Sequence, residues 1–181
     1  MTVGKGMKWM YCMALCLSTV GFVHLVAQPL EEIEQELAFY ADVLVNADRA
    51  AHRVSANEHF HPRFVELMAR PEARDYPFSS LTWVTQVTPA DSSFRIFSWQ
   101  LKLSEEQYRY HAVIVPFDPD RPVIELHDKR SLRSEFGRHD PQTWYGALYY
   151  GIQPFVLEDG KVAYMVLGFN AKDARTNQKV A

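Results

Sequence analysis

The chain has 181 residues, of which 48% are hydrophobic and 23% charged, with a formal net charge of −3 at pH 7. This acidic balance argues against a nucleic-acid partner, which would need a basic surface. The cysteines are Cys12 and Cys16, so the sequence after them has no disulfide, no thiolate nucleophile and no cysteine-ligated metal.

Residues 1–27 have the features of a secretory signal peptide. Lysines precede an apolar stretch from Trp9 to Val26, and Ala27 supplies the small residue expected at a cleavage site. We therefore expect export to the periplasm or cell envelope, with residues 28–181 forming a single domain. The alternative is an uncleaved N-terminal anchor, so that the protein would meet the membrane only through this segment.

Two helices are predicted at about residues 30–70. Apolar residues recur at steps of three and four from Leu30 to about Val54, which predicts one long amphipathic helix. A second helix is predicted within "ANEHFHPRFVELMAR", capped by Ser55 or Asn57 and ended by Pro71. Because Pro62 has no amide to donate, this helix either begins near Phe60 or has an irregular first turn.

From about residue 82 to 170 the apolar period changes from 3.6 to 2, which predicts strands. There are six strand candidates separated by turns: "LTWVTQVT", "FRIFSWQLKL", "YRYHAVIVPF", "VIELHD", "WYGALYYGIQPF" and "VAYMVLGF". Both faces of "FRIFSWQLKL" carry apolar residues, so both are expected to be covered. The pair Asp159-Gly160 predicts a tight hairpin between the last two strands. Helices followed by strands indicate an α+β fold with an antiparallel, meander-like sheet of about six strands.

Three residues are candidates for acid–base chemistry. His111 lies mid-strand between aromatic residues, where a buried neutral imidazole can act as a base. Glu125 and His127 lie two apart at a strand end, on one face of the strand. The pair His59 and His61 falls in a helical pattern, where the two imidazoles diverge and cannot share a metal. No metal site and no cofactor is expected, because no phosphate-binding glycine loop, zinc motif or nucleophile elbow occurs.

Aromatic residues crowd one predicted strand and its neighbours. In "WYGALYYG", alternation places Trp144 and Tyr150 on one face and Tyr145 and Tyr149 on the other, with Trp99 on a neighbouring strand. Such rings on an open sheet face can stack against sugars or peptide side chains. The alternative is cross-strand aromatic pairing that only stabilises the sheet.

Four segments of the chain resemble the motifs of a known group of proteins: "YPFSSL", "TPADSSFRIFSWQ", "TWYGALYYGI" and "YMVLGFNAKDARTNQKV". Together they resemble uncharacterised exported proteins of Bacteroidota-type Gram-negative bacteria, which show YPFxSL, FRIxxW, WYGxLYY and LGWDGNN-type motifs. The chain departs from the last motif at Phe169, Asn170 and Lys172. In that group the sequence continues through further strands, so the resemblance implies that this chain is truncated at its C-terminus.

These observations predict a non-enzymatic binding or interaction protein of the periplasm or envelope. Its partner would be an envelope protein or a glycan, bound by an aromatic sheet face. The alternative is an exported hydrolase whose acid–base groups are Glu125, His127 and His111.

Overall fold

The computed structural model describes residues 28–129 and 138–171, together with the backbone of residues 177–180. The predicted signal segment lies outside the described residues. Within them, two α-helices are followed by seven strands: α1 (Leu30–Asn46), α2 (Ala50–Met68), β1 (Thr85–Val87), β2 (Phe94–Lys102), β3 (Tyr108–Pro116), β4 (Ile124–His127), β5 (Leu148–Val156), β6 (Val162–Ala171) and β7 (Asn177–Val180). Paired strands are antiparallel throughout. The predicted α+β class is confirmed.

The first helix is shorter than predicted, because the chain turns at residues 47–49. It ends at Asn46, whereas the apolar spacing predicts a helix to about Val54. The two ends of the turn have extended backbone, with ψ of 136° and 128°. The buried guanidinium of Arg53 donates to two carbonyls of this turn and to the carbonyl of Lys102. Two of these bonds satisfy carbonyls of the turn, and the third ties the turn to the end of β2. An apolar stripe continues across such a turn, so its period does not reveal it.

The second helix begins at Ala50, so Pro62 lies in its interior and neither predicted start is correct. Proline cannot donate to the carbonyl four residues earlier, which belongs to the exposed Glu58 and can be hydrated. Phe60 and Phe64 flank Pro62 and are fully buried. Their burial compensates for the missing helical hydrogen bond.

Strands β1 to β4 form a four-stranded sheet in chain order, here called the inner sheet. On one face of β2, Phe97 and Trp99 are almost fully buried against phenylalanines of α2. On the opposite face, Ile96 and Ser98 are also buried, and the Ser98 hydroxyl accepts a hydrogen bond from the Tyr149 amide at 2.9 Å. The prediction that both faces of this strand are covered is confirmed.

The remaining strands form a separate three-stranded sheet, ordered β5-β6-β7 and here called the outer sheet. The single sheet implied by the strand spacing is therefore divided in two. Gly146 has a left-handed backbone with φ of 80°, so the strand starts only at Leu148. The Asn170 side-chain amide donates to the Gly146 carbonyl, and the Ala171 amide donates to the Tyr110 hydroxyl at 2.6 Å. The second of these bonds joins the outer sheet to β3 of the inner sheet, on the side opposite the helices.

Strands β5 and β6 form the predicted hairpin, although its loop is longer than two residues. The Leu157 amide donates to the Lys161 carbonyl at 2.8 Å, and the Gly160 amide donates to the Leu157 carbonyl at 2.9 Å. Gly160 has a φ of 81°, which glycine adopts without steric cost. This is a three-residue loop with glycine in the left-handed position.

Candidate functional site

The three acid–base candidates share one face of the inner sheet. His111 lies opposite Trp99 in the β2–β3 ladder and opposite His127 in the β3–β4 ladder. Glu125 precedes His127 by two residues, and side chains two apart on a strand point the same way. The predicted common face of Glu125 and His127 is therefore confirmed. It is the face covered by α2.

Helix α2 contributes a fourth member of this cluster, His61. Its Nε2 lies 2.9 Å from a carboxylate oxygen of Glu125. Its ring centroid lies 5.1 Å from that of His111 and 5.4 Å from that of Trp99. His111 stacks on Trp99 with ring centroids 5.4 Å apart and an interplanar angle of 10°. We call His61, His111, Glu125 and His127 the histidine cluster.

Burial sets the protonation of the histidine cluster. It lowers the pKa of His111 from 6.5 to about 3, with smaller contributions from the positive charges of His61, Arg109 and His127. Burial also lowers the pKa of His61, and this outweighs the opposing effect of the Glu125 carboxylate. Within the part of the chain that the structure describes, the buried Nε2 of His111 has no hydrogen-bond partner. His111 is therefore neutral at neutral pH.

An open pocket of about 400 Å³ lies beside this cluster. Its lining residues are His61, Pro62, Val65, Glu66 and Glu125. A carboxylate that accepts a hydrogen bond from imidazole Nε2 leaves Nδ1 as the acceptor nitrogen, which is the arrangement of a general base. The pocket is therefore the place in the described structure where acid–base chemistry could reach a ligand.

The histidines of the H-x-H pair diverge, as the helical pattern predicts. His59 stacks on Tyr40 of α1 with ring centroids 5.3 Å apart, whereas His61 points to β4. Among the described residues, no group of three or more His, Cys, Asp or Glu side chains is arranged to hold a metal ion.

The five aromatic residues predicted to bind a ligand do not share an open face. Trp99 is 0% exposed beneath α2, where its indole N–H donates to Asn57 at 3.0 Å. Trp144 is 7% exposed and lies on the other side of the inner sheet, where its indole N–H donates to the Tyr149 hydroxyl at 2.7 Å. Burial raises the pKa of Tyr149. Trp99, Trp144 and Tyr149 are thus parts of the packed interior.

The other two predicted aromatic residues lie elsewhere. Tyr145 packs beside His139, with ring centroids 6.0 Å apart. Tyr150 is 56% exposed and follows Tyr149 at a β-bulge. The predicted alternation of these aromatic residues between two strand faces is wrong for two physical reasons. The left-handed Gly146 interrupts the extended chain, and the bulge shifts the register of β5.

An exposed apolar surface lies on the β5–β6 hairpin, and the sequence did not predict it. Seven large apolar residues are between 39% and 70% exposed, and we call them the hairpin surface: Tyr150, Phe155, Val156, Leu157, Val162, Met165 and Leu167. Cross-strand pairing places Phe155, Met165 and Leu167 on one face. Tyr164 points to the opposite face and packs on Phe94 of the inner sheet. The signal in the sequence is the absence of any charged residue from β5 and β6.

Neither the search for membrane-spanning helices nor the comparisons with known proteins gave a match. No helix in the described ranges has the length and apolar character needed to cross a membrane. No protein-family model, curated protein or solved structure matches the chain.

Proposed function

We propose that this is a non-enzymatic, exported binding protein that holds a protein partner on the hairpin surface. The observation that carries the proposal is the exposure of seven large apolar side chains on one hairpin. Each of the seven is between 39% and 70% exposed, so a large part of each apolar side chain is in contact with water. The largest apolar patch of an ordinary monomer covers about 300–600 Å² and is often functional.

The composition of the hairpin surface favours a protein over a glycan. Sugars are bound by exposed aromatic rings next to polar groups, and only Tyr150 and Phe155 supply rings here. The other five residues are aliphatic or methionine, which suit the apolar core of a protein interface. The signal-like residues 1–27 and the resemblance to exported proteins support export, and with it a partner in the periplasm or envelope.

Photocrosslinking from defined positions tests this proposal. A photoreactive residue at Met165, in the full chain expressed in its host, should capture a protein partner, whereas the same residue at Phe39 should not. Phe39 is a matched control because it is 64% exposed but lies on α1. The identified partner should bind the purified chain at least about tenfold more weakly after Leu167→Asp and unchanged after Phe39→Asp. Equal effects of the two substitutions would refute the proposed surface.

A second candidate function is hydrolysis at the pocket beside α2, and the contact that favours it is the 2.9 Å pair of His61 and Glu125. A panel of ester, phosphate and glycoside probes should then show turnover that His61→Gln and Glu125→Gln both abolish. His59→Gln is the matched control, because His59 stacks on Tyr40 away from the pocket. Turnover that persists in the His61 and Glu125 variants would exclude this site.

A further inference from the structure

A second open pocket lies between the C-terminal end of α2 and the loop that joins β3 to β4. Its volume is about 410 Å³, within the range of about 300–1,000 Å³ that is usual for small-ligand sites. Val65 and Ala69 and the prolines of the loop form its apolar wall. Its charges come from two arginines and one aspartate, Arg74, Arg121 and Asp120, so positive charge predominates.

Arg74 is a buried cation that the described residues do not neutralise. It is 5% exposed, and no carboxylate in the described part of the chain forms an ion pair with it. Its Nη1 donates to the carbonyls of Pro116, Asp118 and Arg121. These carbonyls accept hydrogen bonds but carry no formal charge. Because a buried charge is costly unless an opposite charge pairs with it, an anion beside Arg74 would be stabilised.

The hydrogen bonds of Arg74 also leave one edge of its guanidinium unused. The side-chain Nε is buried and has no hydrogen-bond partner among the described residues. A guanidinium carries five N–H donors in a planar fork. Since the bonds to the three carbonyls all come from Nη1, the edge formed by Nε and Nη2 is the one that remains for a ligand. Its two parallel N–H groups match the two oxygens of a carboxylate.

We propose that this pocket binds a monocarboxylate that carries a small apolar group. Arg74 holds the carboxylate on its Nε–Nη2 edge, and the apolar group lies against Val65 and Ala69. Asp120 repels anions, which disfavours ligands of higher charge such as phosphates. Free organic acids and the C-terminal residue of a peptide share this chemistry. The inference goes beyond the proposed function, because no residue of the hairpin surface lines the pocket.

NMR titration of the full chain with hexanoate tests the class of ligand. Hexanoate should bind with a Kd on the order of 1 mM, since so small a ligand makes few contacts, and it should shift the Nε–H resonance of Arg74. Hexanamide has the same apolar group without the charge, and it should bind at least about tenfold more weakly. Tighter binding of N-acetyl-alanyl-leucine than of hexanoate would assign the site to peptide C-termini, and weaker binding to free acids. Equal binding of hexanoate and hexanamide, or an unmoved Nε–H resonance, would overturn the inference.

Substitutions at the rim of the pocket separate charge from shape and leave Arg74, which holds the loop carbonyls, in place. Ala69 is exposed, so Ala69→Glu should fold normally while adding a carboxylate beside the arginines. It should weaken hexanoate binding at least about tenfold, and Ala69→Gln, of the same size but uncharged, should weaken it less. Arg121→Gln should also weaken binding, whereas Arg49→Gln, at the other end of α2, should leave it unchanged. Equal effects of glutamate and glutamine at position 69 would refute an anion site.

Discussion

Replacing His111 with phenylalanine should make the protein less sensitive to acid. The folded protein holds this imidazole neutral, because burial lowers its pKa from 6.5 to about 3. The unfolded chain binds a proton at this position below about pH 6.5, while the folded protein does not. Acid therefore favours the unfolded state, and the stability lost at His111 accumulates as the pH falls from about 6.5 to about 3.

The magnitude follows from the pKa difference. Each pH unit within this window costs about 1.4 kcal/mol, so the free energy of unfolding should fall by about 2 kcal/mol between pH 7.5 and pH 5 because of His111. Phenylalanine keeps a planar ring of similar size against Trp99 and cannot bind a proton. The Nε2 of His111 has no hydrogen-bond partner among the described residues, so the substitution breaks no such bond. The variant should therefore keep its fold at neutral pH.

Urea unfolding at both pH values, followed by circular dichroism, measures the effect. The wild-type protein should lose about 2 kcal/mol more than His111→Phe between pH 7.5 and pH 5. The other members of the cluster are present in both proteins, so the comparison isolates His111. His59→Phe, which removes a histidine outside the cluster, is the matched control for the substitution itself. Equal losses in the wild type and His111→Phe would refute the reasoning, because His111 would then titrate normally in the folded state.

Two further substitutions test the contacts of the outer sheet. Gly168→Ala should lower the free energy of unfolding by about 1–3 kcal/mol in a urea titration, because its Cβ would meet a tyrosine ring and an alanine Cβ at 2.9 Å. Gly151→Ala, whose Cβ would lie at an ordinary 3.6 Å from its neighbour, is the control, and an equal loss in both would contradict the packing. Tyr164→Phe should raise the pKa of Asp91 towards its usual value, as followed by NMR, since the Tyr164 hydroxyl is the largest cause of its lowering. Ser93→Ala should raise it less, and the reverse order would contradict the hydrogen bonding described here.

The sequence pattern correctly predicted structural features that depend on a single strand or a single turn. Alternation in β2 correctly placed Trp99 and Ser98 on opposite, covered faces. The two-residue spacing of Glu125 and His127 correctly placed them on one face. The pair Asp159-Gly160 correctly located the hairpin turn. In each case neighbouring residues fix the geometry, so a single sequence contains the required information.

Features that depend on distant contacts could not be predicted in this way. The turn at residues 47–49 is held by Arg53 and by the carbonyl of Lys102, a strand residue far along the chain. The pair of His61 and Glu125 needs the docking of α2 on β4, which no spacing in the sequence expresses. The second sheet begins only after a left-handed backbone at Gly146. A glycine there is visible in the sequence, but its conformation is not.

The layer order explains why the hairpin, rather than the histidine cluster, is the stronger candidate for function. Helices cover one face of the inner sheet, and the outer sheet covers the opposite face around Ser98. Trp99 and His111, which looked suited to binding or catalysis in the sequence, are therefore used to pack the helices. In the described part of the chain, nothing packs on the face of the hairpin that carries Met165 and Leu167, which are 50% and 39% exposed. Leaving that face in water costs free energy in proportion to its apolar area, and a partner that covers it recovers that cost.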